Sequence, residues 1–356
     1  MKIPRESLFD AAKEILGLLG EESESARIAA EALVTADMRG ISTHGVNLLR
    51  MMSERVAAGM LTVPTRVDVV AEDVTTAVLD GNNGIGQVAA CRALRLSVEK
   101  AKSSGMGMVT LRNTNNIGAL GYFTSSAAEH DGVASIVMTN GNPSVAPHGS
   151  AEPFFGTNPL SIGVPALPGR PLVLDMSSSV VARGKIRLAS LSGDSIPSGW
   201  ALDAAGEPTC DPALALKGCL LPLGGPKGSG LAMMIDIFSG MISGSAYGRK
   251  LKSFHELDGA TGVGACFIAI DIGRFTDQQS FAVKMAEYIQ EIKGLRKQAG
   301  VEEILLPGEV ERKKQEESRR SGIEIPEPVA KGIDQVLTKL GSRLRLVAAR
   351  TVESRE

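Results

Sequence analysis

The sequence predicts an α+β chain in which helices from both ends flank a β-rich middle. Three observations carry that expectation. Apolar residues recur at helical spacing over residues 1–66, they gather into short β-type runs over residues 67–275, and helical spacing returns over residues 276–356. The two helical ends are therefore expected to pack together as one domain around the β-rich one.

Taken in order, Leu8, Ala11, Ala12, Ile15, Leu18 and Leu19 mark a first helix that Gly20 ends. Ser23 is a candidate N-cap for a second, which carries Ala26, Ala29, Ala30, Leu33 and Val34. GISTHGVNLLRMMSERVAAGM breaks at Gly40 and restarts as a helix near Val46, and Pro64 closes the block. VDVVAE and TTAVLD then read as strands, followed by the turn GNNGIG and the amphipathic helix QVAACRALRLSVEKAKSSG. MGMVTLRN, a helix around Leu120 to Glu129, ASIVMTN, PLSIGVPA, RPLVLDM and GACFIAID follow, and GGPKGSG opens the apolar helix LAMMIDIFSGMISG. Helices return with DQQSFAVKMAEYIQEIKGL, the charged GEVERKKQEESRRSG, and AKGIDQVLTKLG. The last fifteen residues follow no clear period and are expected to fray.

Composition narrows the function. A formal charge of -2 with interleaved signs gives no basic footprint for nucleic acid or an anionic membrane, and only 4% of residues are aromatic. No apolar run approaches the roughly 20 residues that span a bilayer, and the start lacks the layout of a signal peptide. Cys91, Cys210, Cys219 and Cys266 are scattered, as expected of reduced thiols in a cytoplasmic protein. The four histidines are far apart in sequence, so no metal site is expected.

A Rossmann fingerprint is missing: GNNGIG has the spacing GxxGxG, and a tight turn is its plainer reading. GGPKGSG is more informative. Small residues free backbone N–H groups at a helix start, and Lys227 adds a full positive charge, which suits a phosphate; a plain turn remains the alternative. His44 lies between two helices, flanked by Ser42, Thr43 and Gly45, where an imidazole can exchange a proton near neutral pH; a structural histidine is the bland reading. Asp175 ends the run PLVLD, where a carboxylate can bind ribose hydroxyls, orient a histidine or cap a turn.

Together these segments resemble one family. GISTHGV, LDGNNGIGQVAA, RNTNNIGALGY, GTNPLSIGVPA, LVLDMSSSVVARGKI, GWALDAAGEPT, LLPLGGPKGSGLAMMIDIFSG, FIAID and LLPGE occur in the order found in malate/L-lactate dehydrogenase-like proteins, from about residue 37 to residue 325. That group includes ureidoglycolate, sulfolactate, diketogulonate and cyclic-imine reductases. The resemblance implies a homodimer with a non-Rossmann, largely antiparallel seven-stranded cofactor sheet that binds NAD or NADP. It implies His44 as proton donor and acceptor, and Asp175, Met176, Ser177, Lys227 and Gly228 as cofactor contacts. Thr157 and Asn158 would line the same cleft, with Gly308 and Glu309 as further cofactor candidates. Two positions depart from the pattern: Asn116 stands where many members have histidine, and Leu48 where many have arginine. Asn116 is then expected to orient a carbonyl beside His44, and Arg50 or Arg183 to meet the substrate carboxylate. The expected reaction is hydride transfer between NAD(P) and C2 of a small 2-hydroxy/2-oxo acid. Reduction of a cyclic imino acid, and cofactor binding without catalysis, are the rivals.

Overall fold

The computed structural model describes residues 1–348. Strand β1 (Lys2–Ile3) leads into α1 (Arg5–Leu18), whose Leu8, Ala11, Ala12, Ile15 and Leu16 form one buried stripe at helical spacing. In α2 (Ser23–Met38) the serine expected as N-cap is the first helical residue, and Glu22 holds the cap position without a side-chain cap bond. After Gly40 the chain makes a 3-10 turn over Ser42–His44, and α3 (Leu48–Ala57) starts two residues later than expected. At the expected start, Val46 gives its N–H to the Asp37 carboxylate (2.8 Å).

The middle of the chain builds a seven-stranded sheet from β2 (Asp68–Glu72), β3 (Thr76–Asp80), β4 (Met106–Thr114), β5 (Ala134–Thr139), β6 (Leu160–Leu167), β7 (Arg170–Met176) and β10 (Val263–Ile270). Its order is β2-β3-β4-β10-β5-β6-β7, and every neighbouring pair is antiparallel except β3 and β4. That parallel pair needs a crossover, which α4 (Gly86–Ser104) supplies. Its small Ala89, Ala90 and Ala93 let it lie close on the sheet, against Leu111 and Phe267. GNNGIG is the tight turn into this helix: Asn82 and Asn83 take φ of 47° and 57°, and the Asn83 N–H bonds the Asn113 carbonyl.

Both interior helices are shorter than their apolar runs suggest. α5 (Leu120–Ser126) and α8 (Pro226–Asp236) each widen into a π-type turn, over Ala127–Asp131 and Ile237–Met241. Between β7 and α8 lie α6 (Arg183–Ser192), β8 (Ala201–Leu202), α7 (Pro212–Lys217) and β9 (Cys219–Leu220). The sequence hides α6 because only Ile186 of its side chains is buried, so no apolar stripe forms.

At the end come α9 (Gln278–Gly294), α10 (Glu309–Ser321), β11 (Ile323–Glu324) and α11 (Glu327–Lys339). β1 pairs with β11, and one apolar core joins Ile3, Leu8 and Leu33 to Ile323, Ile333 and Leu337. Helix α9 instead packs against β6. The segment expected to fray is held as far as it is described. Leu344 and Leu346 lie on the same core, and the Val347 N–H bonds Ser7 Oγ (3.0 Å). Alternate residues face inward there, a period of two too short to recognise in the sequence; residues 349–356 of that segment lie outside the described ones. Among the described residues no helix is long and apolar enough to cross a membrane.

Candidate active site

His44 is placed by what lies under its turn. Asp37, on the last turn of α2, is buried, and its carboxylate fills the space where a Cβ on Gly45 would stand, 2.1–2.2 Å away. Only glycine lets the chain pass there, so Gly45 and Asp37 together fix the exit of the 3-10 turn. His44 is half-buried, and its Nδ1 is buried without a hydrogen-bond partner. Burial holds this imidazole below the usual histidine range, Asn116 beside it pulls the other way, and His255 adds a smaller downward push.

From Asn116 the loop runs to a second centre. Asn116 Oδ1 accepts the Gly118 N–H (2.8 Å), and three residues on the Gly121 N–H reaches Asp175 Oδ2 (2.7 Å). Asp175 closes β7 with one side open to solvent, yet desolvation by the surrounding protein pushes its carboxyl up to about 6. The Gly121 N–H and Arg39 oppose that shift, and Glu311 adds to it.

The segment after Asp175 gathers the remaining pieces. Ser178 donates both its N–H and its Oγ–H to the Thr157 carbonyl at 2.8 Å. A Cβ on Gly228 would lie 2.8 Å from the Ser178 carbonyl and 2.4 Å from that of Leu223, so only glycine brings α8 this close. The start of α8, which carries exposed Lys227, therefore packs on Ser178, two residues past the end of β7. Gly308 packs on Val173 of the same strand, where the Val173 N–H bonds the Pro307 carbonyl (3.2 Å). Glu309 is turned to its own loop, accepting from Lys293 (2.5 Å) and the Leu306 N–H (2.8 Å).

Three expected side chains face elsewhere. Asn158 is fully buried and spends its amide on the Gly141 N–H and the Ala232 carbonyl, so it holds the loop instead of lining an open cleft. Arg50 is largely exposed and paired with Glu54 one turn on (2.9 Å), because a residue two places past buried Leu48 faces the other side of α3. Arg183 gives its guanidinium to the Leu216 carbonyl (2.6 Å).

Other residues enter that sequence reasoning did not single out. Fully buried Arg55 of α3 donates to the carbonyls of Glu256 (2.7 Å) and Gly259 (2.6 Å), with longer bonds to Phe254 and Ser253. It thereby clamps the loop that carries His255. His255 itself is exposed on that loop. Arg39 ties α2 to the Gly121 carbonyl (3.0 Å), Ser125 and Gln315. Among the described residues no cluster of side chains could hold a metal ion.

The described residues thus combine a non-Rossmann sheet, a turn-borne histidine, an exposed lysine at a helix start and an aspartate at the end of a sheet strand. Comparison with known proteins gives the class to which such a chain belongs. A family model described as malate/L-lactate dehydrogenase matches residues 3–334, and the chain belongs to that family. It is similar to the malate dehydrogenase of Pyrococcus abyssi, at 37% identity over 96% of this chain and 95% of that protein. It is also similar to the ureidoglycolate dehydrogenase (NAD(+)) of Escherichia coli K12, at 33% identity over 92% of this chain and 94% of that protein. The (2R)-3-sulfolactate dehydrogenase (NADP(+)) of Chromohalobacter salexigens matches at 32% identity over 91% and 93% of the two chains. Among solved structures, the sulfolactate dehydrogenase of Methanocaldococcus jannaschii superposes with a TM-score of 0.91 at 35% identity, over 97% of this chain and 98% of that one. The protein is thus an NAD(P)-dependent 2-hydroxyacid dehydrogenase of this family.

Proposed function

We propose that the protein interconverts a small 2-hydroxy acid and its 2-oxo acid, with His44 moving the proton at the C2 oxygen. The observation that carries this reading is the setting of His44: a half-buried imidazole on a fixed turn, one ring nitrogen buried and unbonded, facing Asn116. Its lowered pKa keeps it neutral at pH 7, ready to take the hydroxyl proton in the oxidative direction. Asn116 offers an amide donor to the same oxygen without titrating.

The residues present fit a nicotinamide dinucleotide. Lys227, exposed at the start of α8, suits its phosphates, although the first N–H groups of that helix are bonded to the carbonyls of Gly224, Leu223 and Gly225; Asp175 suits ribose hydroxyls, and Gly228 keeps the helix start against Ser178. When bound, the cofactor supplies or accepts the hydride at C2. We place the enzyme in the cytoplasm as a homodimer. Support for pairing comes from outward apolar side chains on α6, α8 and α9, including Leu191 (81% exposed), Met234 and Tyr288.

The test is turnover with a panel of 2-oxo and 2-hydroxy acids, each with NADH or NADPH and their oxidised forms. His44→Ala should lose about 10²–10⁴-fold in turnover while still binding cofactor. Wild-type oxidation should stay level above neutrality and fall as His44 gains a proton, with the midpoint below the ordinary value of about 6.5. Near-parental turnover in His44→Ala would remove the histidine from the reaction.

A further inference from the structure

A 2-oxo acid brings a carboxylate next to the reacting carbon, and both cations expected for it are engaged elsewhere, Arg50 with Glu54 and Arg183 with the Leu216 carbonyl. Three segments that meet at His44 offer another. The first turn of α6 rests on the His44 turn: a Cβ on Gly184 would lie 2.9 Å from Thr43 Cγ2. Arg187 follows Gly184 by three residues, on the same face of α6. Helical side chains lean toward the N-terminus of their helix, the end of α6 that carries the Thr43 contact. The loop clamped by Arg55 carries His255. The charge of His255 bears on His44, and that of Arg187 bears on His255. Among the described residues no carboxylate stands within ion-pair distance of Arg187.

We propose that Arg187 binds the substrate's carboxylate and that His255, beside it, walls the same side of the site. The assignment rests on the functional reading above. A guanidinium can grip the planar carboxylate through two parallel N–H donors, which fixes the C1–C2 axis as well as its charge. The protein around His255, together with the charges of Arg187 and Arg55, holds its imidazole below the usual histidine range, against a smaller pull from Glu256. A neutral ring keeps one N–H to donate to the same carboxylate. Carboxylate selection then comes from α6 and the 253–259 loop, and not from α3, where Leu48 is in the core.

The experiment uses oxamate, a non-reacting amide with the planar carboxylate of a 2-oxo acid, titrated calorimetrically into the full-length protein saturated with NADH or NADPH. Arg187 is exposed, so its variants should fold. Arg187→Gln should weaken oxamate binding about 10- to 100-fold, the effect of losing hydrogen bonds to a charged group. Cofactor affinity should stay within about twofold, and the loss in turnover should fall on KM more than on kcat. Arg187→Lys should recover only part, since an ammonium supplies a point charge without the fork. Unchanged oxamate affinity in Arg187→Gln would overturn the assignment, as would loss confined to Arg50→Gln, Arg183→Gln or Lys185→Gln. If the wild-type protein binds neither cofactor, the functional reading itself fails and the assignment falls with it.

Discussion

Asp37 is a carboxylate with no cation bonded to it among the described residues, buried under the turn that carries His44 and bonded to the Val46 N–H. Burial raises its pKa to about 7, the Val46 N–H opposing. The folded state therefore holds a proton that the unfolded chain, at about 3.9, has already released. Wild-type stability should fall as pH rises from about 4 to about 7 and level off beyond. Asp37→Asn keeps the shape and cannot ionise, so its stability relative to wild type should climb over that window, by at most on the order of 4 kcal/mol. Urea unfolding at pH 5, 6, 7 and 8 would show this. A difference independent of pH would mean that Asp37 ionises as an ordinary carboxylate. The sequence showed the histidine of this pair but not the aspartate, because a polar residue on an apolar helix looks solvated until its neighbours are known.

One side chain joins α3 to the 253–259 loop. Arg55 reaches across about two hundred residues of sequence to four of that loop's carbonyls, and its guanidinium lies 5.3 Å from the Phe254 ring centre. Lysine at this position cannot span the carbonyls of Glu256 and Gly259 together. Arg55→Lys should therefore cost about 2–4 kcal/mol in unfolding free energy and release protection of residues 253–259 in amide hydrogen exchange. Parental protection of that loop in the variant would show that other contacts hold it. At this scale the sequence was informative wherever one face is apolar: α1, α2, α4 and α11, and the strands β3, β4, β5 and β10. It was silent for α6, whose role lies in its contact with Thr43 and not in a buried stripe.

For the whole molecule, α9 buries none of its side chains, and Val283 and Tyr288 are each about half exposed. Leu188 and Leu191 of α6 and Met233 and Met234 of α8 add to this outward apolar surface. Apolar surface on this scale is costly in water, and a second copy can cover it. Static light scattering should return twice the chain mass at micromolar concentration. Met234→Glu combined with Leu191→Glu should shift the protein toward the single-chain mass without unfolding it. A monodisperse wild-type monomer would remove the dimer from the proposed function.

Local chemistry settled much before any tertiary contact was considered. The period of apolar residues separated helical ends from a β-rich middle, and the absent dinucleotide fingerprint pointed away from a Rossmann sheet. His44, Asp175 and Lys227 stood out because each sits in a short segment whose neighbours suit its chemistry. Such features are written within a few residues, which is the range over which spacing, turn torsions and helix-start dipoles act. What the fold decided spans longer distances. It set the sheet order, put Gly121 on Asp175 and Gly228 on Ser178, drew Arg50 and Arg183 to other partners, and laid the first turn of α6 on Thr43. None of these can be read along the chain, because each depends on close packing between segments far apart in sequence, where a single Cβ or carboxylate decides which backbone can approach.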